Sequence, residues 1–187
     1  MVALNRIITK TGDDGTSALA NGERRLKSDP RFEAIGAIDE LNATVGLARV
    51  AAEGELNDLL SRVQNDLFDL GADIATPDDP KFTKPLRVTD GQVIRLESEA
   101  ERFNAALSPL RSFVLPGGTA AAAALHLCRT VCRRAERTLV GLVATGEAVN
   151  PAALRFINRL SDVLFILARV ANQNGRADIL WTPGENR

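Results

Sequence analysis

Histidine and cysteine are scarce in this chain, and their scarcity excludes several kinds of site. The 187 residues include one histidine, His126, and two cysteines, Cys128 and Cys132. A single histidine cannot supply the paired Glu-x-x-His motifs of a carboxylate-bridged metal bundle within one subunit. The cysteines are one helical turn apart, a poor geometry for a disulfide, and are expected to be buried thiols rather than metal ligands. We therefore predict no protein-ligated metal, a hydrogen-bonded core or interface position for His126, and a reducing compartment, the cytoplasm.

The chain also lacks a dominant charge and a long apolar run. Lys and Arg number 23 against 24 Asp and Glu, which leaves a net charge of -1. This balance excludes a global basic field for nucleic acid or an anionic membrane, so any anion site must be local. No apolar segment approaches the roughly 18 residues of a membrane span, and the start, MVALNRIITK, lacks the layout of a signal peptide. We expect neither a membrane nor nucleic acid as a partner.

Helical periodicity dominates the remaining pattern, and no segment convincingly alternates with period two. The length and the 45% hydrophobic content fit a single domain, 1–187. Asp29 as N-cap and Pro30 in the first turn begin the first helix, and further helices are predicted at 55–75, 90–106, 118–144 and 151–174. The sequence thus predicts an all-α five-helix bundle, 29–174, with a loop segment, 1–28, before it and a tail, 175–187, after it.

The most specific polar segment outside the helices is TKTGDDGTS, residues 9–17. Its two glycines free the backbone to curl, and its amides, Thr hydroxyls and Lys10 are the components of a phosphate cradle. It is not a Walker P-loop, because Lys10 precedes Gly12 and no strand is evident before it. A plain turn is an equally simple interpretation. Arg24, Arg25 and Lys27 follow, either as solvated charge or as a continuation of the same anion site.

A second polar feature is LCRTVCRRAER, residues 127–137, inside an Ala-rich helix. Helical spacing puts four of its charged side chains on one face and turns Arg134 elsewhere. The next helix has a polar seam within an apolar sequence. One interpretation is a solvated face with ion pairs such as Glu136–Arg133, and the other is two polar seams that meet in a buried cleft. The first seam comprises Arg129, Arg133, Glu136 and Arg137, and the second comprises Asn158, Asp162 and Arg169.

Four blocks of the sequence together resemble the PduO-type ATP:cob(I)alamin adenosyltransferases, and they occur in that family's order. The blocks are TKTGDDGTSALANGERRLK, EAIGAIDELNATVGLAR, FVLPGGTAAAAALHLCRTVCRRAER and INRLSDVLFILAR. The resemblance implies a ferritin-like five-helix bundle that assembles as a homotrimer with active sites at the subunit interfaces. It implies transfer of the 5′-deoxyadenosyl group of ATP to the cobalt of cob(I)alamin, with release of inorganic triphosphate. A non-catalytic ATP-binding regulatory bundle is the alternative, and a purely structural oligomer is a third interpretation.

The resemblance also implies an ATP site, carried over by matching motif. The N-terminal loop of one subunit would meet the fourth helix of its neighbour around MgATP, with Mg²⁺ bridging the phosphates. Ala18 departs from the family, whose members often carry a hydroxyl there; either one side-chain phosphate contact is lost or backbone amides serve in its place. The implied triphosphate residues are Thr9, Lys10, Thr11, Gly12, Ser17 and Lys27, completed by Arg133, Glu136, Arg137 and Asn158.

The cobalamin half of the site is likewise implied by the resemblance. Phe113 matches the aromatic residue at the lower corrin face, where it displaces the lower ligand of cob(II)alamin and eases its reduction. From the pattern alone, Phe113 would be a structural residue that precedes a helix and packs against its first turn. Asp39 matches a carboxylate that pairs across the interface with Arg129. A reductase that supplies the electron and a cobalamin-dependent enzyme that uses the product are the further partners implied.

Overall fold

Five α-helices account for most of the chain in a computed structural model that describes residues 7–80 and 82–187. This confirms the predicted five-helix architecture. Asp29 caps the first helix, as predicted, by accepting a hydrogen bond from the amide of Arg31 at 2.8 Å. The helices are α1 (Pro30–Ala51), α2 (Gly54–Ala75), α3 (Asp90–Asn104), α4 (Ala120–Ala144) and α5 (Pro151–Ala171).

The helices pack around one apolar core to which all five contribute. α1 packs against both α2 and α4, and α5 packs against α4 and α3. Completely buried side chains such as Leu41, Leu125 and Phe156 occupy the centre of these contacts. Burying aliphatic and aromatic side chains of this size stabilises a fold by about 1.5–3 kcal/mol each. The core leaves the outer faces of α1 and α4 to carry the polar residues of the site.

The helix ends differ from the predicted ones by a few residues, for identifiable local reasons. α4 begins at Ala120 because the Thr119 side chain accepts a hydrogen bond from the amide of Ala122 at 3.2 Å. α5 ends at Ala171, three residues before the predicted stop, because Asn172 leaves the helical region. The next two residues, Gln173 and Asn174, have positive φ angles of 57° and 55°. The chain therefore turns sharply after α5 and runs back along the bundle.

A short β-hairpin precedes α1, although no strand was evident from the amino-acid pattern. β1 (Thr16–Ala18) pairs antiparallel with β2 (Arg24–Leu26), with Ser17 opposite Arg25. Strands of three residues are too short to display a period-two pattern, which explains why the prediction was wrong here. The amide of Ala20 donates to the carbonyl of Ala75 at 3.0 Å, so the hairpin turn is tied to the end of α2.

The segment after α5 returns to the connection between α3 and α4. Val114 and Leu180 form an isolated antiparallel bridge. The amide of Leu115 donates to the carbonyl of Ile179 at 2.7 Å, and the amide of Trp181 donates to the carbonyl of Phe113 at 2.8 Å. Across the part of the chain that the structure describes, no helix combines the length and the apolar character needed to cross a membrane.

Candidate active site

The N-terminal loop is curled by close backbone contacts. Lys10 has a φ of 61°, in the left-handed region that is uncommon for residues other than glycine. Lys27 closes the loop, because its Nζ donates to the carbonyl of Gly12 at 2.8 Å and its amide donates to Gly15 at 2.9 Å. A Cβ on Gly12 would lie 2.9 Å from that Nζ, so a larger residue at this position would displace the end of the Lys27 side chain. The side chains of Thr9, Thr11 and Lys27 remain exposed, as an anion cradle requires.

Arg24 braces the same loop, a role that the sequence did not assign to it. Its Nη2 donates to the carbonyl of Thr11 at 2.6 Å, and its Nε donates to the hydroxyl of Thr16 at 3.0 Å. Asp14 accepts from both the amide and the hydroxyl of Thr16, which lowers the pKa of its carboxyl. Arg24 reaches Thr16 only because the hairpin places the two residues on neighbouring strands. Since the sequence does not reveal the hairpin, it carried no signal for this role of Arg24.

Glu147, in the α4–α5 turn, fastens the hairpin to the bundle. Its two carboxylate oxygens accept from Arg25 at 2.7 Å and from Arg31 at 2.5 Å. Hydrogen bonding by Arg31, followed by that of Arg25, holds the pKa of the Glu147 carboxyl below its ordinary value, and the two carboxylates bound by Arg25 raise the pKa of Arg25. Arg31 is almost fully buried and also donates to the carbonyl of Ile74 at 2.8 Å. The position of the loop thus depends on this ion-pair cluster.

The predicted polar face of α4 exists, but its carboxylate does not pair as the solvated-face interpretation proposed. Glu136 accepts a hydrogen bond from Asn158 on α5 at 2.7 Å rather than from Arg133. Arg133 and Arg137 are exposed, and Arg137 donates to the carbonyl of Arg133 at 3.0 Å. Arg134 points away, as its position in the helix predicted, and forms an ion pair with Glu40. Two guanidinium groups therefore face outward beside a carboxylate held by an amide.

The predicted seam on α5 is only partly correct. Asn158 meets the α4 face through Glu136, and Asp162 is exposed. Arg169 belongs to a different site near the end of α5, because it is buried against Asp178 and the carbonyl of Ser108. Eleven residues separate Asn158 from Arg169, so they share a face but lie about 16 Å apart along the helix.

Phe113 lines a cavity of about 560 Å³ beside α4. Its ring is 77% exposed and is tilted against Trp181, with 5.9 Å between the ring centroids. Arg129 forms part of the same cavity, and its buried Nε has no hydrogen-bond partner among the described residues. Burial, followed by the positive charge of Arg133, lowers the pKa of Arg129. The cavity lining is Leu110, Ser112, Phe113, Val114, Arg129 and Phe165.

Asp39 does not meet Arg129 within one chain. It is exposed on α1 and lines a groove of about 370 Å³ against α2, whereas Arg129 lines the Phe113 cavity. Nor does any hydrogen bond or ion pair of the described residues join the N-terminal loop to Arg133, Arg137 or Asn158. Glu147, which anchors the hairpin, follows the end of α4, and Arg133 lies eleven residues before that end, about 16 Å along the helix. Within one chain, the hydrogen bonds and ion pairs of the described residues thus connect neither the loop to the α4 face nor Asp39 to Arg129.

The histidine and the cysteines are buried. Neither ring nitrogen of His126 has a hydrogen-bond partner among the described residues, and burial lowers its pKa. The predicted hydrogen bonds of His126 are thus missing within the single chain. Burial raises the pKa of the Cys128 thiol to about 11 and that of Cys132 further. Residues 7–80 and 82–187 contain no group of three or more His, Cys, Asp or Glu side chains that would hold a metal ion.

These features define a helical bundle with a curled cationic loop, an arginine-rich helix face and an apolar cavity. A sequence profile described as cobalamin adenosyltransferase matches residues 7–171. The chain belongs to the cobalamin adenosyltransferase family.

Two kinds of relative agree with this membership. A corrinoid adenosyltransferase of Mycobacterium tuberculosis is 47% identical over 191 residues, which cover 100% of this chain and 97% of the relative. A structure of a PduO-type ATP:corrinoid adenosyltransferase variant from Lactobacillus reuteri, complexed with cobalamin and ATP, superposes with a TM-score of 0.87 at 38% identity and covers 94% of this chain and 99% of the other. A second variant of that protein, complexed with ATP, gives a TM-score of 0.86 at 37% identity over 95% and 100% of the two chains.

Proposed function

We propose that the protein transfers the 5′-deoxyadenosyl group of ATP to the cobalt of cob(I)alamin and releases inorganic triphosphate. The observation that carries the proposal is the presence, on one member of this family, of both a cationic helix face and an apolar cavity lined by Phe113. In the reaction a cobalt–carbon bond forms at C5′ while the bond from C5′ to the triphosphate oxygen breaks. The electron pair of that bond leaves with the triphosphate.

The ATP half of the site is assigned to the loop and to the α4 face. The triphosphate of the leaving group gains negative charge at its departing oxygen, and fixed cations aimed at that oxygen lower the barrier. Arg133 and Arg137 suit this task because a guanidinium stays protonated and presents a planar fork. Asn158 and Glu136 hold each other beside them at 2.7 Å. The loop residues that complete the site are Thr9, Lys10, Thr11, Gly12, Ser17 and Lys27.

Mg²⁺ enters the proposal as part of the MgATP substrate. In MgATP the phosphate oxygens hold the ion, and the described residues contain no group of three or more His, Cys, Asp or Glu side chains that would hold it without the nucleotide. When bound, the ion neutralises phosphate charge. No side chain is assigned to it, and the arginines perform the charge stabilisation described above.

Phe113 and Arg129 are assigned to the corrinoid half of the site. An exposed aromatic ring at the mouth of an apolar cavity is unfavourable in water, and a flat macrocycle would cover it. There Phe113 would occupy the lower axial position of cob(II)alamin and exclude water, so that an external reductase supplies the electron more easily. Asp39 of a neighbouring subunit would pair with Arg129, whose buried Nε otherwise has no partner among the described residues.

Within one chain, no hydrogen bond or ion pair of the described residues joins the N-terminal loop to Arg133, or Asp39 to Arg129. This supports a homotrimer in which neighbouring subunits share each site. A closed ring of three copies brings the loop of each subunit to the α4 face of the next in a repeated, head-to-tail contact. The same contact would bring Asp39 to Arg129. We keep the cytoplasm as the proposed compartment because both cysteines are unpaired thiols, and a cobalamin-dependent enzyme as the proposed consumer of the product.

The direct test is anaerobic incubation of the protein with cob(I)alamin and MgATP. We expect the absorption spectrum of adenosylcobalamin to appear together with one triphosphate per cobalamin converted. ATP binding without any spectral change, by a folded assembly, would instead support the non-catalytic regulatory bundle. A bundle that only senses ATP needs the loop and Arg133 but has no use for the apolar cavity beside Phe113.

The shared site is tested by subunit mixing. Lys27→Ala removes the loop cation and Arg133→Ala removes the helix cation, so each variant alone is expected to be nearly inactive. Coexpression in equal amounts is expected to restore about one quarter of the wild-type rate, because each site draws its loop and its helix at random from two pools. If both parts came from the same subunit, every site would carry one defect and the mixture would stay inactive.

A further inference from the structure

The connection that carries Phe113 is bound along its length by the segment that follows α5. Two backbone hydrogen bonds link Leu115 to Ile179 and Trp181 to Phe113, at 2.7 and 2.8 Å. The hydroxyl of Ser112 donates to the carbonyl of Trp181 at 2.6 Å. The rings of Phe113 and Trp181 also contact each other. The orientation of Phe113 is therefore set by a short two-stranded contact with residues 179–181.

The segment is in turn held by one buried carboxylate. Asp178 accepts from Arg169 Nε through Oδ2 at 2.8 Å and from Asn172 Nδ2 through Oδ1 at 3.2 Å. The side chains of Arg169 and Asp178 are only 7% and 3% exposed. Because both oxygens of the carboxylate are bound by residues at the end of α5, the backbone just before Trp181 is fixed to the bundle.

Arg169, in the last turn of α5, and Asn172, which caps that helix, also reach the other side of the Phe113 connection. Arg169 Nη2 donates to the carbonyl of Ser108 at 2.9 Å. Asn172, completely buried, donates to the carbonyl of Gly117 at 3.2 Å and accepts from the amide of Thr119 at 3.0 Å. The connection is thus held at its start by Arg169, at its end by Asn172 and in its middle by the segment that Asp178 anchors.

We infer that Asp178 is a positioning residue for Phe113, acting with Arg169 and Asn172. None of the three lines the Phe113 cavity. Their buried network fixes both chain segments whose aromatic rings, Phe113 and Trp181, contact each other, and so fixes where the Phe113 ring meets the corrin. The inference rests on the proposed function, because it concerns the placement of Phe113 against that substrate.

The catalytic test compares Asp178→Asn with the wild type from two starting states, cob(II)alamin plus a reductant and preformed cob(I)alamin. Asparagine keeps the shape of the side chain but leaves the buried Arg169 guanidinium without its counter-charge. A ring displaced by about 1 Å is expected to cost about 10–100-fold in the reaction from cob(II)alamin. The reaction from cob(I)alamin, which no longer needs the ring to displace a ligand, is expected to stay within about twofold. Cob(II)alamin that has lost its lower ligand is four-coordinate. Its fraction in the ATP complex, measured from the spectrum, is expected to fall in parallel.

Trp181 supplies a second readout that does not depend on catalysis. It is the single tryptophan of a chain without tyrosine, so its fluorescence reports this contact alone. Asp178→Asn is expected to shift Trp181 emission to longer wavelength and to increase its quenching by acrylamide. Asp90→Asn, which makes the same change in the exposed Arg155–Asp90 pair, serves as the matched control and is expected to leave every readout unchanged. Where Asp178→Asn does not fold, Arg169→Lys, which keeps the charge but loses one of the two donors, is measured in the same way.

The outcomes separate this inference from the proposed function. A folded Asp178→Asn assembly that keeps wild-type levels of four-coordinate cob(II)alamin overturns the positioning role. Equal slowing from both cobalt states also overturns it, because that pattern indicates a general structural defect. Absence of adenosyl transfer by the wild type overturns the proposed function and this inference together. A normal wild type with a Phe113→Ala variant that is unimpaired from cob(II)alamin overturns the role of Phe113 and, with it, that of Asp178.

Discussion

The side-chain amide of Asn158 on α5 donates a hydrogen bond to the carboxylate of Glu136 on α4, with 2.7 Å between Nδ2 and Oε1. The carbonyl oxygen of Asn158 is also bound, because Arg159 Nη1 donates to it at 2.8 Å. This chain of three polar side chains crosses a helix junction that is otherwise apolar. It fixes the Glu136 carboxylate one turn away from Arg133, where it balances the charge of the proposed triphosphate site.

Asn158→Asp is expected to disrupt that arrangement by placing two carboxylates within 3 Å. Like charges at this distance repel, so we expect the KM for ATP to rise about tenfold at pH 8, which corresponds to about 1.4 kcal/mol. Because one carboxylate takes up a proton at lower pH, the defect should shrink at pH 5.5. Steady-state kinetics at both pH values measure it, with Asn158→Leu as the control that removes the hydrogen bond without adding charge. An equal defect at both pH values would show that repulsion is not its cause.

Arg133→Ala is expected to lower kcat by about 10²–10³-fold and to leave the bundle folded. The arginine is exposed, and its proposed role is to stabilise charge that develops only as the triphosphate leaves. Arg133→Lys should recover little of the rate, because a single ammonium does not reproduce the guanidinium fork. Arg134→Ala, which removes the neighbouring arginine paired with Glu40, is the matched control and should retain near-normal kcat. Similar rates for the three variants would remove Arg133 from the site.

The glycine before α4 provides a stability test of the buried Asn172 contacts. Gly118 has a φ of 100°, and an added Cβ would lie 2.1 Å from Asn172 Oδ1. Gly146 has a similar φ of 87°, but an added Cβ would meet nothing within 4 Å. Gly146→Ala should therefore cost about 1 kcal/mol through backbone strain alone, whereas Gly118→Ala should cost at least about 3 kcal/mol. Urea unfolding of both variants measures the difference, and equal losses would contradict the proposed steric conflict.

The sequence was sufficient to predict the helices because each of them repeats its own signal every turn. One face of α1 carries apolar residues at helical spacing that are all buried, namely Ala34, Ala37, Ile38, Leu41, Val45 and Ala48. The arginines of α4 could likewise be assigned to a shared face, since i and i+4 positions always lie together on a helix. Local periodicity determines such features, and no tertiary contact has to be known.

The contacts that hold the loop and Phe113 were not predictable, because they join residues far apart in the chain. Arg25 and Glu147 are separated by 122 positions, and Ser112 and Trp181 by 69. Neither pair has a spacing that marks it, and the tail that contains Trp181 lies outside the four sequence blocks that carry the family resemblance. Only the folded chain reveals that Arg169 turns towards Asp178 instead of joining Asn158.

The buried cysteines predict a loss of stability at alkaline pH. Burial raises the pKa of Cys128 to about 11, and also raises that of Cys132, so both thiols stay neutral in the folded chain where an unfolded chain ionises. Below about pH 8 the thiols are neutral in both states and contribute no pH dependence. Above about pH 8.5 the unfolded state releases protons, so the free energy of unfolding should fall by up to about 1.4 kcal/mol per pH unit for each thiol. Urea unfolding between pH 7 and 10.5 tests this, and a Cys128→Ala, Cys132→Ala double variant should show a shallower slope.

The ion pairs of Glu147 predict the opposite dependence, a loss of stability in acid. Hydrogen bonds from Arg31 and Arg25 lower the pKa of Glu147 in the folded chain below its ordinary value of 4.5. The stabilisation is therefore fully present above about pH 4.5 and is lost as the pH falls through the lowered folded-state pKa. Glu147→Gln should lower the free energy of unfolding by about 1–3 kcal/mol at pH 7, because the buried Arg31 loses its charged partner.

Towards pH 3 the difference between this variant and the wild type should shrink, since a protonated Glu147 and a glutamine interact alike with Arg31. The KM for ATP at pH 7 should also rise, because Arg25 ties the hairpin to Glu147 and the hairpin closes the loop through Lys27. Glu23→Gln, which removes an exposed partner of Arg25, is the control and should leave the stability almost unchanged, because exposed ion pairs are screened by solvent. A Glu147→Gln deficit that is the same at pH 3 and pH 7 would mean that its charge does not hold the hairpin.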